Sequence, residues 1–177
     1  MSIRKLTTLA MFTTLALIVF TVETAIPPLV PIPGIKLGLA NIITLVVLCL
    51  YSPKDAFFVL LVRILVSTVL FGQAMSLLYS LAGGVCCFVA MFLVNKLLQQ
   101  HFLFLTSIIG ALFHNLGQLA VAYLLTAVPG VLTYLPFLLL SGILTGLFTG
   151  LCAGFTLKYL VPKAFRLPSS PREDGDN

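Results

Sequence analysis

Long runs of apolar residues recur along this chain, and they limit its possible folds more than any other feature. Each run has about the twenty residues that a helix needs to cross roughly 30 Å of hydrocarbon. With 60% hydrophobic and 8% charged residues, the chain lacks the polar residues that would cover the surface of a soluble fold. The alternation typical of transmembrane β-barrels is absent. The sequence therefore predicts an all-α membrane protein.

Turn-forming residues divide the apolar runs and predict a six-transmembrane-helix bundle with both termini on one side. The predicted spans are 6–26, 36–51, 55–71, 74–95, 102–127 and 134–160. The second and third are short for a crossing, which indicates either tilt or ends that rest in protein. We assign residues 1–162 to one transmembrane domain and expect residues 163–177 to form a disordered polar tail.

The net charge of +5 follows membrane topology rather than a nucleic-acid-binding surface. Basic residues occur singly or in pairs near helix ends, not in a patch. Eight of them share one side of the predicted bundle: Arg4, Lys5, Lys54, Lys96, Lys158, Lys163, Arg166 and Arg172. By the positive-inside rule this side is cytoplasmic. We expect a multi-pass plasma-membrane protein with both termini in the cytoplasm and no nucleic-acid partner.

Lys36 and Arg63 are two cations that this rule does not explain. A mid-membrane arginine costs about 2.5–3.5 kcal/mol on insertion scales, so Arg63 should face the bundle interior and a partner. Ser67, one turn later, could contact the same ligand. The alternative for Arg63 is a structural ion pair with Glu23, the acid inside the first span. The alternative for Lys36 is a side chain that snorkels to water.

A proline-rich turn at residues 31–41 joins the first two predicted spans and carries Lys36. Its prolines stiffen the backbone, while Gly34 and Gly38 allow a ligand or a helix to approach closely. Asn41 lies at its end. We expect this turn to form a lid over a ligand site near the outer membrane surface.

Polar and small residues in the fourth and fifth spans could complete that site. His114, Asn115 and Gln118 form a polar face at helical spacing. Hydrogen bonding between helices, typically worth about 0.6 kcal/mol, is the alternative to ligand binding. In the fourth span Ser80 precedes paired glycines at residues 83–84, which let a backbone or a ligand approach.

Small residues in the first and sixth spans predict close helix contacts. The sixth span places four glycines on one face, at Gly142, Gly146, Gly150 and Gly154. We expect this face to pack inside the bundle, with contact to a partner subunit as the alternative. In the first span, Ala10 and Thr14 form a pair of small residues four positions apart.

The motifs of several enzyme classes do not occur in this chain. It has five acidic residues, three of them in the tail, which excludes the aspartate clusters that hold magnesium in prenyl diphosphate synthases. No Ser-His-Asp set, phosphate loop or zinc spacing occurs. The cysteines lie in apolar runs without metal-ligand spacing: Cys49, Cys86, Cys87 and Cys152. We therefore predict no catalytic residue, no metal and no cofactor.

Four separated motifs and Arg63 carry a resemblance to a known family. The motifs are residues 33–42, 79–84, 110–118 and 139–146. In them the chain resembles the Gx transporter family, also labelled heptaprenyl diphosphate synthase component I. That family is similar in turn to the substrate-binding S components of energy-coupling factor (ECF) transporters, in size, in its six helices and in its proline-rich first loop.

The resemblance implies a bundle that binds a small molecule near the extracellular face, under a lid formed by the first loop. It implies docking of the first helix, through Ala10 and Thr14, onto a transmembrane coupling subunit driven by two ATPases. Thr14 departs from the alanine pair typical of S components. The family label further suggests an isoprenoid (di)phosphate or a precursor as ligand.

Together these features favour a non-enzymatic subunit for uptake of a small anionic molecule. The expected binding residues are Lys36, Asn41, Arg63, Ser67, Ser80, His114, Asn115 and Gln118. The alternative is an accessory or catalytic membrane subunit of heptaprenyl diphosphate synthase.

Overall fold

The computed structural model describes residues 3–26, 35–71, 74–98 and 102–164, which are mostly helical and contain no strand. The six α-helices of these ranges are α1 (Ile3–Thr24), α2 (Asn41–Leu50), α3 (Pro53–Phe71), α4 (Ala74–Leu98), α5 (Leu103–Thr126) and α6 (Leu135–Ala164). A short 3-10 helix, Pro129–Tyr134, leads into α6. The all-α class is confirmed. The prolines of the first loop and residues 165–177 of the predicted tail lie outside the described residues.

Four helical segments in the described part of the chain are long and apolar enough to cross a membrane. They are Ile3–Thr24, Met75–Leu98, Leu103–Thr126 and Pro129–Leu160. This finding supports a multi-pass membrane protein. Helix α3 carries three charged residues, Lys54, Asp55 and Arg63, and α2 is short. Crossing by all six helices, and the side on which the termini lie, remain predictions.

Helix α2 begins later than the sequence predicts. We expected a span from residue 36, but the helix starts at Asn41 because residues 35–40 are irregular and Gly38 has a φ of +80°. Its ten residues are about 15 Å long at the rise of an α-helix. Helix α2 packs against α1, α3, α4 and α6, and seven of its residues are buried. This short helix is therefore enclosed by protein along most of its length.

Glycines set the spacing between α5 and α6. A Cβ atom added at Gly146 would lie 2.5 Å from the Cα of Ile108, and one at Gly150 would lie 2.7 Å from the Cα of Phe104. One at Gly142 would approach the amide of Asn115 to 3.0 Å. The prediction that the glycine face packs inside the bundle is confirmed for these three residues. Gly154 differs, because a Cβ there would meet nothing within 4 Å.

The two ends of the bundle differ in charge. At one end, Lys5 forms an ion pair of 2.7 Å with Asp55, which joins the start of α1 to the start of α3. The same end holds an apolar cluster in which Leu9 of α1, Met91 of α4 and Leu157 of α6 are buried together. The ends of α4 and α6, with their lysines, therefore lie beside the start of α1. Lys36 lies towards the opposite end.

Candidate functional site

A buried polar cluster forms where the end of α1, the segment 35–40, the start of α2, the middle of α3 and one face of α5 converge. Five of its side chains are at most 7% exposed. Burying so many polar groups costs free energy unless they find partners. The members of this cluster are Glu23, Lys36, Asn41, Arg63, His114 and Gln118.

Glu23 and Gln118 hold the segment 35–40 from two sides. The N–H of Gly38 donates to Glu23 Oε1 at 2.5 Å. On the other side, the N–H of Lys36 donates to Gln118 Oε1 at 3.3 Å. The segment that precedes α2 is thus tied to α1 by Glu23 and to α5 by Gln118.

His114 lies between two glycines. A Cβ atom at Gly38 would be 2.7 Å from the ring carbon Cδ2, and one at Gly83 would be 2.8 Å from Nδ1. Neither position can hold a side chain unless the imidazole moves. The close approach predicted at residues 83–84 is therefore made to a side chain of α5.

A chain of hydrogen bonds assigns the protons of this cluster. Arg63 is only a donor, and its Nη2 lies 3.4 Å from Asn41 Oδ1, so the Asn41 amide nitrogen points the other way. That nitrogen is 3.3 Å from His114 Nδ1 and can donate to it. On this arrangement we assign the proton of a neutral His114 to Nε2.

Arg63 does not form the direct ion pair with Glu23 that was the alternative to ligand binding. Within the described ranges, the pair Lys5–Asp55 meets the 4.0 Å limit for an ion pair, and Arg63–Glu23 does not. The two charges still attract each other electrostatically. The physical reason is that the carboxylate of Glu23 accepts hydrogen bonds from the backbone of the segment 35–40 instead.

The ammonium of Lys36 is turned into the protein. Its Nζ lies 3.8 Å from the centre of the Phe20 ring, which is the geometry of a cation–π contact. The Nζ atom is buried and has no hydrogen-bond partner. A lysine that snorkels to water would keep its ammonium exposed, so this geometry does not match the snorkelling alternative.

Four buried nitrogens of the cluster lack any hydrogen-bond partner: Lys36 Nζ, Arg63 Nε, His114 Nε2 and Gln118 Nε2. All four are donors, because Gln118 already accepts through Oε1 and the His114 proton is on Nε2. Unpaired buried donors are rare in proteins. A cavity of about 10 Å³, lined in part by Gly38 and Asn41 but by none of these four donor residues, has room for about one water. The arrangement is suited to acceptor oxygens.

Asn115 and Ser67, which the sequence predicted as site residues, have other partners in the structure. The Asn115 amide donates to the carbonyl of Leu138 at 2.6 Å and lies 3.3 Å from Ser141 Oγ, so it joins α5 to α6. The hydroxyl of Ser67 donates to the carbonyl of Ile64 at 2.9 Å. Ser80 is buried on α4, one turn before Gly83. A ligand-binding role for these three remains a prediction.

Glu23 is the residue whose position the sequence reasoning missed. It was considered only as a partner of Arg63, whereas the structure makes it the anchor of the segment 35–40. The available signal was a carboxylate placed four residues before the prolines that end the first span. A buried acid next to a loop with free backbone N–H groups is a natural acceptor for them.

Ala10 and Thr14 lie together on the outer surface of α1, and both are exposed. The hydroxyl of Thr14 donates to the carbonyl of Ala10 at 3.0 Å. The hydroxyl is therefore satisfied within the helix. Apolar side chains are exposed beside this pair, with Met11 63% exposed.

Comparison with known proteins gives one match. The family model described as heptaprenyl diphosphate synthase component I matches residues 12–156, which include every member of the buried polar cluster. Searches of curated proteins and of solved structures gave no significant match.

Proposed function

The chain belongs to the heptaprenyl diphosphate synthase component I family, and we propose that within it this chain is a membrane subunit that binds a small anionic molecule for uptake. The observation that carries this proposal is the set of four unpaired buried donors, two of them on the cations Lys36 and Arg63. Burying these donors without acceptors costs a folded protein free energy. An anion with two or more acceptor oxygens would satisfy them.

The proposed roles follow from the geometry. Lys36 and Arg63 attract the anion, and the planar guanidinium offers directional donors to a carboxylate or a phosphate. Asn41 orients Arg63 and His114, while His114 and Gln118 each present one donor. The segment 35–40 acts as a lid, and its hydrogen bonds to Glu23 and Gln118 link closure to α1 and α5.

For transport, we propose that the subunit docks on an ECF transmembrane coupling subunit that works with two ATPases. The exposed pair Ala10 and Thr14 supports this proposal, because small outward side chains let another helix approach closely. The low number of acids supports a role without catalysis, with no metal or cofactor. The surrounding lipid bilayer completes the set of proposed partners.

A second candidate function follows from the name of the family. An accessory or catalytic membrane subunit of heptaprenyl diphosphate synthase would assemble with a partner subunit, and an isoprenoid (di)phosphate or a precursor would be its ligand. Incubation of the purified chain with farnesyl diphosphate, labelled isopentenyl diphosphate and magnesium tests the catalytic form of this candidate, because elongation would join the two with release of diphosphate. We expect no elongation from this chain alone. The accessory form is tested by copurification with a soluble synthase subunit.

The binding proposal is tested with the small molecules of a cell extract. Purified protein in nanodiscs is incubated with the extract, washed, and its retained compounds are identified by mass spectrometry. We expect an anionic compound to be retained by the wild type and reduced roughly tenfold or more by Arg63→Ala, because a charged hydrogen-bond donor is worth about 1.5–3 kcal/mol.

The matched control is Arg4→Ala, which removes an exposed cation at the other end of the bundle and should not change retention. Lys36→Ala in the same assay tests the snorkelling alternative, which predicts no loss. Equal retention by the wild type, Arg63→Ala and Lys36→Ala would contradict the proposed function.

A further inference from the structure

We infer that the ligand of the buried polar cluster carries one net negative charge, as a carboxylate or a phosphodiester does; this inference rests on the proposed function. The cluster contains two cations, Lys36 and Arg63, and one carboxylate, Glu23. Its formal charge is therefore +1. A ligand with one negative charge would make the closed site neutral.

The position of Glu23 makes it a fixed part of this balance. Its carboxylate accepts a hydrogen bond from the backbone N–H of Gly38. Burial disfavours the charge of this carboxylate, whereas the hydrogen bond from Gly38 favours it. Lys36 and Arg63 both attract it electrostatically. Glu23 thus offsets one of the two cations while it holds the lid.

Acids elsewhere in the described chain do not enter the balance. Asp55, the other buried acid, is paired with Lys5 at 2.7 Å and accepts from the Ser52 hydroxyl, also at 2.7 Å. This pair joins the start of α1 to the start of α3. Glu23 lies in the last turn of α1, which ends at Thr24. Asp55 is already neutralised and lies at the opposite end of the bundle.

The cost of burial then selects the charge of the ligand. An uncompensated charge inside a membrane bundle costs several kcal/mol even after the protein relaxes. A ligand with one negative charge leaves no uncompensated charge in the cluster. A free diphosphate ester, with about three negative charges near neutral pH, would leave two charges without a partner in the cluster. Magnesium bound to the diphosphate would reduce that excess, so the test is done without metal.

The test compares three molecules that share one hydrocarbon chain and differ in charge. Farnesoate, farnesyl phosphate and farnesyl diphosphate are titrated into the protein in nanodiscs with EDTA present. For the wild type we expect farnesoate to bind at least tenfold more tightly than farnesyl diphosphate. Glu23→Gln raises the formal charge to +2, and we expect it to shift this ratio at least tenfold towards the more highly charged ligands.

Two variants make the result specific to Glu23. Glu23→Asp keeps the charge and should keep the preference for the monoanion. Asp55→Asn removes one carboxylate at the other end of the bundle and should leave the preference unchanged. Thermal unfolding of each variant shows that it is folded.

The possible outcomes separate the inference from the proposed function. Tighter binding of the diphosphate by the wild type, or an unchanged ratio in folded Glu23→Gln, overturns the single-charge inference while anion binding stands. Failure of all three molecules to bind counts against the inference and the proposed function together. Binding that is the same in Arg63→Ala and in the wild type contradicts the proposed function alone.

Discussion

At the scale of single residues, Gly83 shows how the site depends on a missing side chain. The His114 ring fills the space that a Cβ at residue 83 would occupy, and Gly38 limits the ring on its other side. The imidazole therefore has little freedom to move away. Its position decides where the Nε2 donor points.

We predict that Gly83→Ala will destabilise the protein by about 1–3 kcal/mol, the usual cost of overpacking a filled interior. The measurement is the free energy of unfolding in detergent micelles. The control is Gly84→Ala, where the new Cβ would meet the flexible tip of Leu60 at 3.1 Å. A loss of stability in Gly83→Ala that is no larger than the small loss in Gly84→Ala would mean that the His114 ring moves freely.

Neighbouring side chains on α5 contact different parts of the protein. His114 and Gln118 point to the segment 35–40, whereas Asn115 donates to α6. Consecutive residues on a helix are about 100° apart, so His114 and Asn115 cannot face the same neighbour. The sequence predicted one polar face for His114, Asn115 and Gln118. For Asn115, the alternative of a hydrogen bond between helices matches the structure.

At the scale of elements, the α5–α6 contact depends on how closely two backbones approach. Gly146 and Gly150 face the main chain of α5, while Gly154 lies beyond this contact. One repeat of four residues therefore contains positions with different packing. The repeat alone could not distinguish them, because the distinction depends on where α5 begins.

We predict that Gly146→Ala will lower the free energy of unfolding by about 1–3 kcal/mol or more, because the added Cβ would collide with backbone that cannot rotate away. Gly154→Ala should leave stability unchanged or raise it slightly, since alanine is the better helix former. Both are compared with the wild type by thermal unfolding in the same detergent. An equal loss at residue 154 would show that this glycine has a close partner in the folded protein.

At the scale of the whole molecule, the arrangement of charge is consistent with one orientation in the membrane. Lysines near the start of α1, the start of α3 and the ends of α4 and α6 gather at one end of the bundle, and Lys36 lies towards the other. From the positive-inside rule we predict that the lysine-rich end is cytoplasmic. The polar cluster would then open towards the outside.

We predict that single cysteines at the two ends will react differently with a membrane-impermeant maleimide. In a variant without native cysteines, Thr133→Cys should be labelled in intact cells, and Lys96→Cys only after lysis. Both positions are exposed in the structure, so burial does not limit the reaction. Labelling of Lys96→Cys alone in intact cells would reverse the orientation.

The sequence by itself determined the class of protein, the approximate helices and the separation of Lys36 and Arg63 from the other cations. These are local properties, because apolar length and charge placement can be read along the chain. It misplaced the start of α2, because the positive φ of Gly38 and the hydrogen bonds of the segment 35–40 to Glu23 and Gln118 are not local properties of the sequence.

The tertiary structure alone decided which polar residues meet. Glu23, Asn41, Arg63 and His114 come from four different helices, and their contacts depend on how each helix is rotated and how deeply it lies in the bundle. Such contacts arise from packing between distant parts of the chain, which no local pattern encodes. Packing is also what leaves four buried donors without partners, and so makes the cluster a candidate site for an anion.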